Sequence, residues 1–300
     1  MDALHTFIGL MISTFIVALG LSQGLSWHLA DLGRGVRDPA FARGLGVCLV
    51  GVPLLSLIVV KVLPVPPVAA GVISLMAFCP GLPMALNVVS KQKGNLALTL
   101  ALSVTLSLVA IVLMPLSLKL LERLFPVAIQ SPPYGVLLGR VILPFLVPFA
   151  IGIGFQKVAP GWAHRLRKPV KLYFNVALSV AALALVVASF PLLKRLSFWA
   201  IVAMVVVTLG ATALGHVAGR PRPGDRTALA ISAVFGNPAF AFCLGGSTYP
   251  MKSLLGVMGL YLFIRTVALI PYLLWNQRHQ ASERGGGPSM PSGRRASAGT

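Results

Sequence analysis

The sequence predicts an all-α polytopic membrane protein of about nine transmembrane helices, and three observations carry the prediction. Of the 300 residues, 57% are apolar and only 10% are charged, against roughly 25% charged in soluble domains. The apolar residues gather into runs of about 20, the length that crosses a bilayer. Two of those runs hold Pro, Gly and Asn together near mid-span, the mark of a broken helix. Neither an ordinary soluble fold nor a disordered chain has this composition.

The runs are bounded by charge and by Pro or Gly. They fall near residues 4–24, 42–63, 67–90, 94–121, 134–156, 169–190, 197–218, 226–247 and 252–275. The first follows Asp2 and His5, has no Lys or Arg ahead of it and no small-residue cleavage site, so it reads as a retained span and not a signal peptide. The transmembrane domain then occupies 1–276. The segment 277–300 is rich in Gly, Ser and Arg and has almost nothing to bury, so it is expected to be a disordered tail.

The formal net charge of +19 raises the question of nucleic acid. The basic residues stand between apolar runs and form no single surface, which fits the positive-inside pattern and anionic headgroups instead. Threading nine spans puts seventeen Lys and Arg on the side away from the N-terminus against six on the other. The expected orientation is N-terminus outside and C-terminus cytoplasmic.

The third span reads Phe78-Cys79-Pro80-Gly81-Leu82-Pro83-Met84-Ala85-Leu86-Asn87, and the eighth reads Ile231-Ser232-Ala233-Val234-Phe235-Gly236-Asn237-Pro238-Ala239. Pro removes a backbone donor and clashes with the preceding turn, and Gly adds backbone freedom. Unwound backbone at membrane depth survives only where protein buries it or where it lines a polar cavity. The two broken spans run in opposite directions and each precedes one last long span. That is the signature of an inverted repeat with a binding site between the breaks. Spans 1–4 pair with spans 6–9, and span 5 has no partner.

The acidic residues are Asp2, Asp31, Asp38, Glu122, Asp225 and Glu283, all in loops, at span ends or in the tail. His5, His28, His164, His216 and His279 are placed alike. No proton-carrying group is expected at mid-membrane, and no activated catalytic pair, metal cluster or phosphate-binding glycine motif is visible. An enzyme is therefore not expected. Cys48, Cys79 and Cys243 lie within apolar runs and read as fillers.

The remaining polarity at depth is neutral apart from one cation. Asn87 and Asn237 sit in the breaks, Thr99, Ser103 and Ser107 recur every four residues along one helix face, and Ser232 lies about a turn before the second break. With carbonyls freed by the breaks, such oxygens can coordinate a hard cation such as sodium, while half-helix N-termini can hold an anion. The competing structural readings are Ser and Thr bonded back to the i−4 carbonyl and Asn cross-linking helices. Arg265 stands near the middle of span 9. With no acid at depth it must face a cavity, a cluster of carbonyls or an anionic ligand, unless register carries it to the interface.

At these residues the chain resembles the bile acid:sodium symporter family of secondary transporters. The resemblance rests on Ala18-Leu19-Gly20-Leu21-Ser22, Ala70-Gly71-Val72, Cys79-Pro80-Gly81 with Asn87 downstream, Lys93-Gly94-Asn95-Leu96-Ala97-Leu98-Thr99, and Asp225-Arg226-Thr227 ahead of Gly236-Asn237. It implies a nine-span form with a panel domain of spans 1, 5 and 6 and a core domain of spans 2–4 and 7–9, moving against each other in alternating access. It also implies an organic anion as substrate, bile-acid-like or another carboxylate, and location in the plasma membrane. Sodium ligands carry over to Asn87, Thr99 and Ser103. A substrate held between the two breaks is expected to meet Pro83, Asn87, Gly236, Asn237 and Pro238, with Arg265 a further candidate. The family's glutamate falls on Ser232, its glutamine on Gly236 and one of its serines on Leu86. Loss of the glutamate removes the negative charge that would offset sodium. A sodium-independent uniporter or exporter, and a sensor that kept the fold, therefore stand beside the symporter.

Overall fold

The structure is a computed structural model that describes residues 14, 16–25, 29–81, 84–125, 133–137, 139, 142–193, 197–245 and 251–285. Every regular element among them is helical. We number them α1 Ile16–Leu25, α2 Leu29–Val36, α3 Pro39–Val62, α4 Pro67–Ala77, α5 Met84–Lys91, α6 Leu96–Leu124, α7 Leu143–Val158, α8 Pro160–Leu193, α9 Phe198–Ala218, α10 Pro223–Val234, α11 Pro238–Gly245 and α12 Met251–Gly285. A single turn, Tyr134–Leu137, precedes α7.

Among the described residues, four stretches are long and apolar enough to cross a bilayer alone: Pro39–Val62, Leu96–Leu113, Phe198–Ala218 and Gly256–His279. The expected spans 3 and 8 each divide into two shorter helices, α4 with α5 and α10 with α11. Pro80 and Pro238 explain the division, since neither can donate to the preceding turn. Pro53 is handled differently. Val47–Gly51 widens into a π turn in which Val52 donates to Val47, so α3 absorbs its proline without ending.

Two elements depart from expectation. The loop between spans 1 and 2 contains α2, which sits against the start of α6: a Cβ on Gly35 would come within 2.4 Å of the Ala97 carbonyl oxygen. The tail expected to be disordered from residue 277 is helical to Gly285, with the His279 ring stacked on Trp275 at 5.3 Å.

Glycines set the closest helix crossings. Gly20 and Gly24 on α1 meet the backbone of Phe145 and Phe149 on α7, and Gly215 on α9 meets Leu229 and Ala230 on α10. A Cβ at any of these would lie inside a neighbouring carbonyl, so small residues bring the backbones together. At one end of the molecule α3, α6 and α10 begin side by side. Asp38 accepts from Ala40 N at 2.9 Å, and Asn95 accepts from Leu98 N at 3.1 Å. The Asn95 amide donates to Asp38 and, at 2.8 Å, to Asp225. Two of the chain's few acids thus serve as helix caps and ties.

The outer surface is apolar where soluble proteins are polar. On α3, Val50, Leu54, Ile58 and Val62 are 55%, 52%, 60% and 75% exposed, at a spacing of four residues. This exposed stripe is what a helix presents to lipid.

Candidate functional site

The two breaks meet. After α4 the chain turns through Gly81, whose φ of +92° strongly favours glycine. A side chain there would also come within 2.9 Å of Ser107 N. Asn237 donates its backbone N–H to the Cys79 carbonyl and its side-chain amide to the Gly81 carbonyl at 3.4 Å. Gly236 passes so close that a Cβ would fall 2.7 Å from the Met76 carbonyl oxygen. Carbonyls left open by the first break are therefore satisfied by the second, as buried backbone requires. Asn237 is fully buried, and Pro238, also buried, opens α11 beside it.

From this crossing a polar chain leads outward. Ser107 Oγ lies 3.1 Å from the Gly81 carbonyl and 2.8 Å from that of Ser103, and it accepts from Gln23 Nε2 on α1 at 2.9 Å. Gln23 Oε1 and Ser103 Oγ are buried with no hydrogen-bond partner among the described residues. Both residues border a cavity.

That cavity, of about 480 Å³, lies between α1, α2 and α8 on one side and α5 and α6 on the other. Each wall is one helix face. Arg167, Lys171, Phe174 and Asn175 follow helical spacing along α8, Leu96, Ala97, Leu100, Ser103 and Val104 do so on α6, and Leu86, Asn87 and Ser90 on α5. Ser22, Gln23 and Arg34 complete the lining. Three cations, several neutral donors and an apolar wall are thus assembled. The volume falls within the ordinary range for small-molecule sites, about 300–1,000 Å³.

Arg265 is elsewhere. It is 5% exposed, and its guanidinium reaches the carbonyls of Val234 at 3.4 Å and Gly236 at 3.5 Å and lies 5.1 Å above the Phe235 ring. Of the surroundings the sequence allowed for it, this is the cluster of carbonyls.

The expected residues therefore part company. Asn87 and Ser103 face the cavity; Gly236, Asn237 and Pro238 form the crossing. Thr99 is fully buried and donates back to Asn95 O at 2.8 Å. Ser232 is buried, its hydroxyl without a hydrogen-bond partner among the described residues. Pro83 lies outside the described residues, as does Arg140. No cluster of three or more His, Cys, Asp or Glu is found among the described residues.

Sodium has an uneven fit. Near the first break the oxygens of Asn87 and Ser103 are suitable, though all are neutral. At the second break the carbonyls already face a fixed positive charge, and the donor set there does not suit a free cation. Sequence reasoning missed Gln23, Arg34, Arg167, Lys171 and Asn175. The period of 167, 171, 174 and 175 was the available signal, but charge at a span end reads first as loop charge.

Residues 13–216 match the sodium bile acid symporter family, and the chain belongs to that family. It is a multi-pass membrane protein of a family of transporters. The matched stretch includes the first break and the described residues bordering the 480 Å³ cavity, and it ends before the second break. No curated protein matched the chain.

Proposed function

We propose that the chain is a secondary carrier of an organic anion, one with an apolar body and a carboxylate or similar head group, working by alternating access in the plasma membrane. The observation that carries this reading is the cavity's make-up: Arg34, Arg167 and Lys171 gathered on one lining, and an apolar wall that includes Phe174 and Leu100. The cations attract the head group and raise its local concentration. The apolar wall holds the body of the ligand, and Asn87, Ser103 and Gln23 offer hydrogen bonds that orient it. The cavity borders the side rich in Lys and Arg, so in this conformation it opens to the cytoplasm. Transport then requires α5 and α6, with both breaks, to move against α1, α7 and α8.

Uptake of labelled cholate into proteoliposomes tests this reading. Saturable flux is expected, with affinity lowered about tenfold in the combined Arg167→Ala and Lys171→Ala variant, equivalent to about 1.4 kcal/mol. Saturable binding without flux would instead identify a sensor on the same fold. No binding of any organic anion would end the carrier reading.

A further inference from the structure

We infer that Arg265 is a built-in cation for the second break: its guanidinium fills the carbonyl cradle that a free monovalent cation would otherwise occupy, and it relieves the carrier of a sodium requirement there. The inference rests on the organic-anion reading above and concerns how that same carrier is coupled.

The argument starts from the backbone. Ending α10 at Val234 and restarting at Pro238 leaves the C-terminal carbonyls of a half-helix without helical partners, and these carry partial negative charge. Carbonyls in this state inside a membrane protein draw a cation. Here Arg265 reaches the last carbonyl of α10, that of Val234, which also accepts from Gly236 N at 3.0 Å, and the Gly236 carbonyl within the break itself. The intervening Phe235 offers its ring face to the same guanidinium.

Charge balance supports the assignment. A buried arginine is normally matched by an acid, yet Arg265 has no acidic partner among the described residues. Ser232, on the last turns of α10, supplies only a neutral hydroxyl. A free sodium ion brought to these carbonyls would meet a fixed positive charge with no carboxylate to offset it. Space agrees: the void bordered by Arg265, Gly236, Pro80 and Tyr261 measures about 10 Å³, barely room for one water. A tethered cation also costs less to order than an ion drawn from solution. The device thus holds the break in shape whatever the sodium concentration.

The test is thermal unfolding of the purified full chain in sodium chloride and in matched potassium chloride, for wild type, Arg265→Met and Arg265→Lys. The Met variant removes the charge and keeps an apolar stem. It is expected to melt about 5 °C or more below wild type in potassium, and to recover part of that loss along a saturable sodium titration. Wild type and Arg265→Lys, each with a fixed cation, are expected to ignore the exchange of salts. The melting-temperature shift that cholate produces in wild type is expected to be equal in both. An Arg265→Met variant with no gain in sodium response overturns the inference. So does a sodium stabilisation of wild type that persists in Asn87→Ala, since that places a free cation away from the first break. Should the Met variant fail to accumulate, an Arg265→Lys variant that needs sodium to fold overturns the inference, and one that ignores sodium supports it. Failure of the carrier reading looks different: no anion then shifts any variant, whatever the salts do.

Discussion

The two breaks use the same residue types and do opposite things with them. Each combines Pro, Gly and Asn in sequence, but Asn87, expected in the break, lies within α5 and borders the cavity, while Asn237 stays in the break and is fully buried in the crossing. The first break leaves its polarity accessible to a ligand. The second spends its polarity internally: its asparagine satisfies the carbonyls of its counterpart, and its own carbonyls face Arg265. A break motif therefore predicts unwound backbone. What that backbone does depends on whether a cavity or a side chain from another helix lies against it. Two similar Pro, Gly and Asn motifs thus end in different surroundings, one beside a cavity and one inside the packed crossing.

The strongest way to break this comparison is at the glycines of the crossing. Gly81→Ala puts a side chain on a left-handed backbone and against Ser107, and Gly236→Ala drives a methyl into the Met76 carbonyl. Each is expected to cost about 1–3 kcal/mol or more, seen as a sharp loss of folded, monodisperse protein. A Gly236→Ala chain that stays folded and still binds cholate would show that the breaks do not need to touch.

Next come the two asparagines, which should separate stability from binding. Asn237→Ala removes one of the two side-chain donors to the buried Gly81 carbonyl, leaving only Ser107, and is expected to cost about 1 kcal/mol, lowering the melting temperature before any ligand is added. Asn87→Ala, on the cavity wall, should change the melting temperature by no more than about 0.5 kcal/mol equivalent while weakening cholate binding severalfold. Equal behaviour of the two variants would mean that the breaks share one role.

The sequence carried the breaks clearly because Pro and Gly act through local backbone geometry, which needs no knowledge of neighbours. Asn237, Gly236 and the spacing of the four long apolar helices were legible for the same reason. Arg167 and Lys171 were not. They sit near a span end, where positive charge ordinarily follows loop topology, and only the continuous helix α8 from Pro160 turns them along the cavity. Gln23 was passed over because one neutral amide among apolar residues gives no periodic signal. It is found only when α1 is placed beside Ser107. For Arg265 the sequence supplied the dilemma, a buried cation without an acid, and the packing of α12 against the end of α10 supplied the resolution.

The finest contrast lies within one helix. Ser103 and Ser107 are neighbours on α6, four residues apart and both buried. Ser107 accepts from Gln23 and reaches two carbonyls, so Ser107→Ala leaves the Gln23 amide and the Gly81 carbonyl each short of a partner. A cost of about 1–2 kcal/mol is expected, together with loosening of α1 from the first break, readable as faster hydrogen exchange at Gln23 and Gly24. The Ser103 hydroxyl has no hydrogen-bond partner among the described residues, so Ser103→Ala removes a buried polar group without compensation there, and stability should hold or rise slightly. Its effect should fall on binding alone, as a loss of at most a few fold in cholate affinity. A destabilised Ser103→Ala chain would mean that the hydroxyl is part of the protein's own hydrogen-bonding. The cavity wall on α6 would then be structural at Ser103.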